Sequence, residues 1–303
     1  MKKGNVAIIV VTFNRKNLLR ENLKAILDNA YHDYEVLIID NCSTDGTYEY
    51  IEDLLNNSTV FYYRTEKNIG GAGGFNFGMK KAYQHDCEYM WLMDDDCIVH
   101  RDSLTVLLHQ NDVLSGNYGF LSSKVLWKDR TLCKMNVQKK NIFQKNQDWQ
   151  SPIVPIHMAT FVSFFIPTRI VLDVGLPISD FFIWADDFEY SRRISKKYQC
   201  YLINDSVVTH KSKDNIGSNL AIDENENLSR YSYAYRNEYY IYHRENIFGK
   251  LYYVMKILYH KLNIYRSHSQ RKCEKISIIN KAIKEAYEFT PQIEYLVKDK
   301  LSK

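Results

Sequence analysis

The stretch Tyr89-Met90-Trp91-Leu92-Met93-Asp94-Asp95-Asp96 constrains this chain more than any other. An apolar run of strand length belongs in a core. Three consecutive carboxylates at its end do not, because ionising them side by side is costly unless a cation shares the charge. Short Asp side chains offer oxygen ligands that suit Mg²⁺ or Mn²⁺, and these ions take phosphate as a co-ligand. A plain acidic turn would mix Asp with Gly and Asn rather than cap a buried strand with three acids. The end of this strand is therefore expected to hold a divalent ion and a phosphate-bearing molecule.

The sequence before it repeats one pattern. Residues 6–11 form a continuous β-branched run, as in a strand buried on both faces of a parallel sheet, ending at Thr12-Phe13-Asn14-Arg15. Leu18, Leu19, Leu23, Ile26 and Leu27 follow at helical spacing. Residues 35–39 form a second buried strand ending at Asp40-Asn41, and Ser43-Thr44-Asp45-Gly46-Thr47 supplies turn and N-cap chemistry for a helix over 48–55. A third strand, 60–63, gives way to a loop over 68–75 that carries Gly70, Gly71, Gly73 and Gly74 and opens a helix to about Gln84. The order β-α-β-α-β-α-β predicts an α/β domain with a mainly parallel sheet. Ligands of such sheets sit at the carboxyl ends of the strands, where Arg15, Asp40, the glycine loop and the acid triplet all fall. The glycines let backbone N–H groups approach a phosphate or sugar, and the helix start favours anions. The loop is neither a Walker loop nor a GxGxxG after the first strand.

Beyond the triplet, residues 103–109 read as a helix, 117–150 as an irregular insertion, and 161–166 as another buried strand. The aromatic cluster Phe181-Phe182-Ile183-Trp184 leads into Asp186-Asp187 and a helix over 190–197. Acids at a helix start either complement its dipole or, beside aromatic walls that raise a carboxyl pKa, serve as a general base. Short strands at 201–203 and 207–209 end at His210, either a structural histidine or a metal ligand.

Composition excludes several classes. At 45% hydrophobic residues the chain can build a real core, so wholesale disorder is excluded. Six scattered cysteines have no CxxC spacing, which indicates neither a zinc site nor a disulfide framework. No run approaches the roughly 18 apolar residues of a membrane span. Met1-Lys2-Lys3-Gly4 leads directly into a strand without a signal-peptide core, so reduced cytoplasmic thiols are expected. From Ser229 onward there are 15 Lys+Arg against 7 Asp+Glu, within an overall net charge of +4. A basic tail behind an acidic half suits a membrane surface or nucleic acid. No helix-turn-helix, zinc-finger or RRM signature supports nucleic acid.

Taken in order, Thr12-Phe13-Asn14-Arg15, Asp40 with residues 43–47, Asn68 to Phe75, the acid triplet, residues 184–190 and His210 resemble the family 2 inverting glycosyltransferases of GT-A fold. The form Asn-x-Gly-Gly-Ala-Gly-Gly-Phe, with the later Arg236-Asn237 pair, looks like their galactofuranosyltransferase and rhamnosyltransferase branch. The resemblance covers roughly residues 5–245. It implies a Rossmann-like nucleotide-sugar-binding domain over residues 1–228 and a smaller helical, basic region over 229–303.

It also implies roles. Thr12, Asn14, Arg15, Asp40, Asn68, Gly70, Gly71, Gly73, Gly74, Asp94 and Asp95 would bind the nucleotide sugar. Asp94, Asp96 and His210 would hold Mn²⁺ or Mg²⁺. Trp184 and Asp186 would contact the acceptor, and Asp187 would be the base that deprotonates its hydroxyl. The implied activity is metal-dependent, inverting sugar transfer to a saccharide or lipid-linked acceptor in cell-surface polysaccharide synthesis. UDP-galactofuranose is the preferred donor and dTDP-rhamnose the alternative. A scaffold that binds nucleotide sugars without catalysis is the non-enzymatic alternative.

In the tail, Leu251, Val254, Met255, Leu258, Leu262 and Tyr265 share one helical face. That face either packs on the catalytic domain or a second copy of the chain, or lies peripherally on the inner face of the plasma membrane.

Overall fold

The computed structural model describes residues 5–297; the reading of Met1-Lys2-Lys3-Gly4 falls outside them. Strands β1 (Val6–Thr12), β2 (Tyr34–Asp40), β3 (Val60–Arg64) and β4 (Tyr89–Asp94) lie parallel in the order β3-β2-β1-β4. Helices α1 (Lys16–Leu27), α2 (Thr47–Leu55) and α3 (Gly70–Gln84) connect them. Strand alternation sends successive side chains to opposite faces. Ile8 and Val10 therefore join Leu19, Leu23 and Ile26 of α1 in one core, while Ile9 and Val11 join Phe75 and Met79 of α3 in another. Both faces are covered, which is why the strands read as unbroken apolar runs. The register sets Thr12 beside Asp40 and Val11 beside Asp94, so the acid triplet emerges next to the end of β1.

The second half is mixed in direction. It comprises β5 (Cys97–Val99), α4 (Ser103–Val113), β6 (Leu121–Trp127), β7 (Ile153–Ile156), β8 (Phe164–Pro167), α5 (Thr168–Val174), α6 (Asp186–Ser195) and β9 (Cys200–His210). The sheet continues β4-β8-β6-β9-β5, with β7 also on β9. Strand β8 is antiparallel to β4 and β6, whereas β6 and β9 run parallel. Antiparallel pairing of β5 with β9 sets Cys97 opposite His210 and so brings the histidine to the triplet.

Three expectations need correction. Residues 117–150 are not an insertion throughout, because Leu121–Trp127 is an interior strand of the sheet. The glycines do not form a loop: α3 begins at Gly70, and all four glycines lie in its first turns. The two short strands before His210 are one strand, β9, with a register shift opposite Ser123 and Lys124.

Three further helices, α7 (Tyr231–His243), α8 (Ile247–Arg266) and α9 (Lys272–Glu288), pack together through Tyr235, Tyr253, Ile257, Ile264, Ile279 and Ala282. The Asn246 side chain caps α8 by accepting from the Phe248 and Gly249 amides. The apolar face whose partner the sequence left open is not buried against the rest of the chain. Leu251, Met255, Leu258 and Tyr265 are 57%, 58%, 57% and 73% exposed. Among the described residues, no helix is long and apolar enough to cross a membrane.

Candidate active site

A cavity of about 730 Å³ opens at the carboxyl ends of β1 and β4. One wall carries the triplet. Asp94 closes β4, and Asp95 and Asp96 turn the chain into β5. Thr12 Oγ1 donates to Asp95 Oδ2 at 2.7 Å. Arg15 Nη1 donates to Asp95 Oδ1 at 3.2 Å and to Asp96 Oδ2 at 2.9 Å. Burial and the neighbouring acids raise Asp94 to about 6. Burial, offset in part by Arg15, takes Asp95 to about 7. Crowding is thus unresolved by the protein's own cations, the condition in which a metal ion is wanted.

Ligand atoms of Asp94, Asp96 and His210 lie within 4.8 Å of one another. Asp96 Oδ1 is buried and has no hydrogen-bond partner, although His210 Nε2 sits 3.1 Å away. His210 Nδ1 is 2.8 Å from Asn136 Oδ1, an acceptor only, so Nδ1 carries the proton and donates. That bond fixes the ring with Nε2 toward the acids, as in metal-bound histidines. Burial alone would lower the His210 pKa, but the Asp96 carboxylate raises it to about 10. A proton on Nε2 therefore holds the position that a cation would take. Two carboxylates and an oriented imidazole whose ligand atoms converge fit a divalent ion.

The same cavity is lined by the acid pair. Ala185 precedes α6 in the left-handed region (φ 66°), and Asp186 and Asp187 occupy the first turn of the helix. Burial raises Asp186 well above the usual carboxylate range, and Asp187 adds to it. Burial likewise pushes Asp187 up to about 7, with the Phe188 amide donating to its Oδ1 at 2.7 Å. A carboxyl titrating near neutrality at a cavity wall is poised to accept a proton. Trp184 also lines the cavity, with the Tyr231 ring 5.0 Å from its own and the Arg230 guanidinium 5.2 Å above it.

Sequence comparison then decides the family. The family model "Glycosyl transferase family 2" matches residues 7–161, from β1 to the approach of β8. The chain belongs to glycosyl transferase family 2. Among curated relatives, galactofuranosyltransferase GlfT1 of Mycolicibacterium smegmatis is 33% identical over 91 residues, 30% of each chain. Abequosyltransferase RfbV of Salmonella typhimurium is 33% identical over 106 residues, 34% of this chain and 31% of that one. The chain thus spans about a third of the length of these two relatives. Among solved structures, S. aureus TarS 1-349 in complex with UDP aligns with a TM-score of 0.55 at 13% identity, covering 94% of this chain and 72% of that one. The mannosyltransferase PcManGT from Pyrobaculum calidifontis, in complex with GDP-Man and Mn²⁺, aligns with a TM-score of 0.57 at 14% identity, covering 96% and 77%. These likenesses establish the GT-A fold.

Not every residue expected to bind the donor meets the cavity of this family 2 chain. Thr12, Arg15, Asn68, Gly70, Gly71, Asp94 and Asp95 line it, as do Asp96, His210, Trp184, Asp186 and Asp187. Asp40 does not. Its side chain is fully buried and shapes the turn after β2, accepting from the Ser43 amide at 2.8 Å and from the Tyr62 hydroxyl. Asn14 instead holds that turn, accepting from the Thr44 amide at 2.7 Å. Gly73 and Gly74 serve packing. A Cβ at Gly74 would stand 2.6 Å from Val11 Cγ1, and one at Gly73 would stand 3.0 Å from Ile69. Gly71 faces open space, with nothing within 4 Å of a Cβ built there.

Sequence reasoning gave Arg236-Asn237 no role at the site. Asn237 is fully buried, and its Nδ2 donates to the carbonyls of Phe181 (2.9 Å), Ile183 (3.2 Å) and Trp184 (2.9 Å). Arg236 donates to the Asp180 carbonyl at 2.7 Å. Phe182, Trp184 and Ala185 all have positive φ, so α7 clamps a strained segment that delivers the acid pair. Asn136, which orients His210, was also missed.

Proposed function

We propose that this chain is a metal-dependent, inverting glycosyltransferase that moves a sugar from a nucleotide diphosphate to a saccharide or lipid-linked hydroxyl. The observation that carries this reading is one cavity lined both by a cation-ready Asp94/Asp96/His210 cluster and by Asp187, raised to about 7. A bound divalent ion would neutralise the diphosphate leaving group. The ion is Mn²⁺ rather than Mg²⁺ in this reading, because an imidazole ligand suits the softer metal. Asp187 accepts the acceptor's hydroxyl proton, the oxygen bonds to the anomeric carbon, and the bond to the diphosphate breaks on the opposite face. Arg15, half exposed beside the triplet, is within reach of the departing phosphate. The configuration inverts in one displacement, without a covalent enzyme intermediate.

The preferred donor is UDP-galactofuranose, supported by the Asn68–Phe75 glycine motif and the GlfT1 similarity. A dTDP-rhamnose donor is the competing outcome. The face formed by Leu251, Met255, Leu258 and Tyr265, with exposed Lys250 and Arg266 beside it, supports peripheral contact with an anionic inner leaflet carrying a lipid-linked acceptor.

A thermal-shift panel of UDP, dTDP, GDP and their sugars, with and without Mn²⁺, tests the donor site. At 100-fold over Kd a ligand stabilises the folded state by about 2.7 kcal/mol, or roughly 5 °C for a chain of this size. A Mn²⁺-dependent shift with UDP is expected, and a shift with dTDP alone would move the donor to rhamnose. Asp187→Asn should abolish transfer and keep the UDP shift. Turnover retained in that variant would remove Asp187 as base.

A further inference from the structure

The cavity does not end at the acid pair. Its far side is the inner face of α7 and α8, where Tyr231, Tyr235 and Glu238 recur at helical spacing opposite Lys256 and His260. Lys256 Nζ donates to Glu238 Oε1 at 2.7 Å, and these side chains retain 21% and 23% exposure, with both residues lining the cavity. His260 Nδ1 pairs with the Tyr235 hydroxyl at 2.9 Å.

The seam between these helices does not depend on the ion pair. Tyr253 and Ile257 fill it, and the Tyr253 hydroxyl donates to the Tyr235 carbonyl at 3.0 Å. A buried ion pair is in any case a poor stabiliser, since desolvation offsets the attraction. The charged groups lining this end are Asp186, Asp187, Glu238 and Lys256; beside them stand Lys139, its ammonium 4.4 Å over the Phe188 ring, and Arg230, 5.2 Å over the Trp184 ring and paired with Asp223.

We propose that the α7–α8 side of the cavity is the subsite for a neutral glycosyl unit of the acceptor. Glu238 accepts hydrogen bonds from its hydroxyls, Lys256 donates to them, and Trp184 with Tyr231 walls its apolar face. The proposal rests on the transferase reading and extends it to helices outside the segment matched by the family model. A matched carboxylate and ammonium offer acceptors and donors in one place with no net charge, which suits hydroxyls rather than a phosphate or uronate. Aromatic faces beside them cover the C–H face of a sugar ring. Helix α8 thus has two working sides. Lys256 and His260 face the cavity, and the exposed Leu251 and Leu258 face outward.

The test measures binding of octyl β-galactoside, octyl β-glucoside and octyl β-glucuronide to the full chain with UDP and Mn²⁺, by saturation-transfer NMR. Wild type is compared with Glu238→Gln, Lys256→Met and the double variant. Loss of one charged hydrogen bond should weaken the neutral glycosides on the order of 10-fold, with UDP affinity unchanged. The double variant removes both charges together, so it preserves the fold even where a single variant leaves an unpaired charge. Failure of wild type to bind UDP would sink the transferase reading and this proposal with it. Three outcomes overturn the subsite alone: UDP binding without any glycoside binding, preference for the glucuronide, or a lowered melting temperature in the variants with unchanged glycoside affinity.

Discussion

Asn237→Ala tests whether the acid pair depends on its clamp. In the wild type one fully buried amide serves three carbonyls, those of Phe181, Ile183 and Trp184. Removing it strands the Ile183 and Trp184 carbonyls, while the Phe181 carbonyl keeps the Ile183 amide at 2.7 Å; at about 1 kcal/mol for each stranded group, the loss is about 2 kcal/mol. For a chain of this length that lowers Tm by about 4 °C. The clamped segment also stores strain. Phe182, Trp184 and Ala185 have φ of 62°, 65° and 66°, each costing a non-glycine residue about 1 kcal/mol. The strain is therefore at least as large as the hydrogen bonding that holds it. Without the amide the segment relaxes toward ordinary φ and carries the start of α6 with it. Displacing a reacting group by about 1 Å costs about 100-fold in rate. The acid triplet keeps its own anchors, because Thr12 and Arg15 hold it from β1 and the turn after it. Calorimetry should show the lower Tm, titration with UDP and Mn²⁺ an unchanged affinity, and initial rates a steep loss of kcat. A variant that melts lower yet transfers sugar at the wild-type rate would show that the clamp only stabilises the fold. A variant that loses UDP affinity would place the damage at the nucleotide site instead.

The Asp187 carboxyl, raised to about 7, acts as a base only when ionised, so transfer should rise with pH through about 7 and flatten above it. The same raised pKa means that folding favours the proton, so this group withdraws stability as pH climbs from about 4 to about 7. A rate profile flat from pH 5.5 to 8.5 would count against the assignment. Glycines of α3 should separate by role. Gly74→Ala forces a methyl to 2.6 Å from Val11 and should lose about 1 kcal/mol after the helix-propensity gain, with UDP binding kept. Gly71→Ala meets nothing within 4 Å, so it should gain up to about 1 kcal/mol in stability but weaken the nucleotide sugar, since Gly71 lines the cavity. Melting curves beside UDP titrations read both. Leu251→Glu with Leu258→Glu should abolish co-sedimentation with anionic vesicles and leave UDP affinity unaltered; undiminished sedimentation would exclude α8 as the contact.

The parallel half of the sheet was legible because strands covered on both faces read as unbroken apolar runs. Strand β6 was not, because Ser122, Ser123 and Lys124 interrupt it. The interruption is structural. Trp91 Nε1 donates to Ser163 Oγ at 2.8 Å, Ser163 Oγ donates to Ser123 Oγ at 2.7 Å, and Ser123 Oγ meets Ser206 Oγ at 2.7 Å. A satisfied hydroxyl chain lets polar residues fill an interior strand. Strand β5 is three residues long, too short for any periodicity to register. Helix α8 left its buried side open for another reason. It is apolar on both sides, Tyr253, Ile257 and Ile264 inward and Leu251, Leu258 and Tyr265 outward, so spacing gives a stripe without saying which one is buried. At the site, that the triplet, His210 and Asp187 would meet in one cavity could be read from charge beside apolar strands. Asp40 could not, because a carboxyl at a strand end serves equally as a ligand or as a turn acceptor, and only the Tyr62 and Ser43 contacts decide.

The motifs that looked separate in sequence form one mechanical unit. A Cβ at Gly70 would stand 2.0 Å from the Phe182 carbonyl oxygen, and the Ala72 amide donates to that same oxygen at 3.1 Å. Asn237 grips the neighbouring carbonyls from the other side. The segment before Asp187 is thus pressed between the first turn of α3 and the middle of α7. Gly70 is glycine because its φ of +74° and this approach both exclude a side chain. Neither demand comes from a phosphate. Part of what reads as a phosphate-binding glycine motif is therefore a seat for the segment before the acid pair. Helices α3 and α7 thus hold adjacent carbonyls of the one segment that leads into Asp186 and Asp187, so a change in either helix reaches the part of the cavity that carries the acid pair.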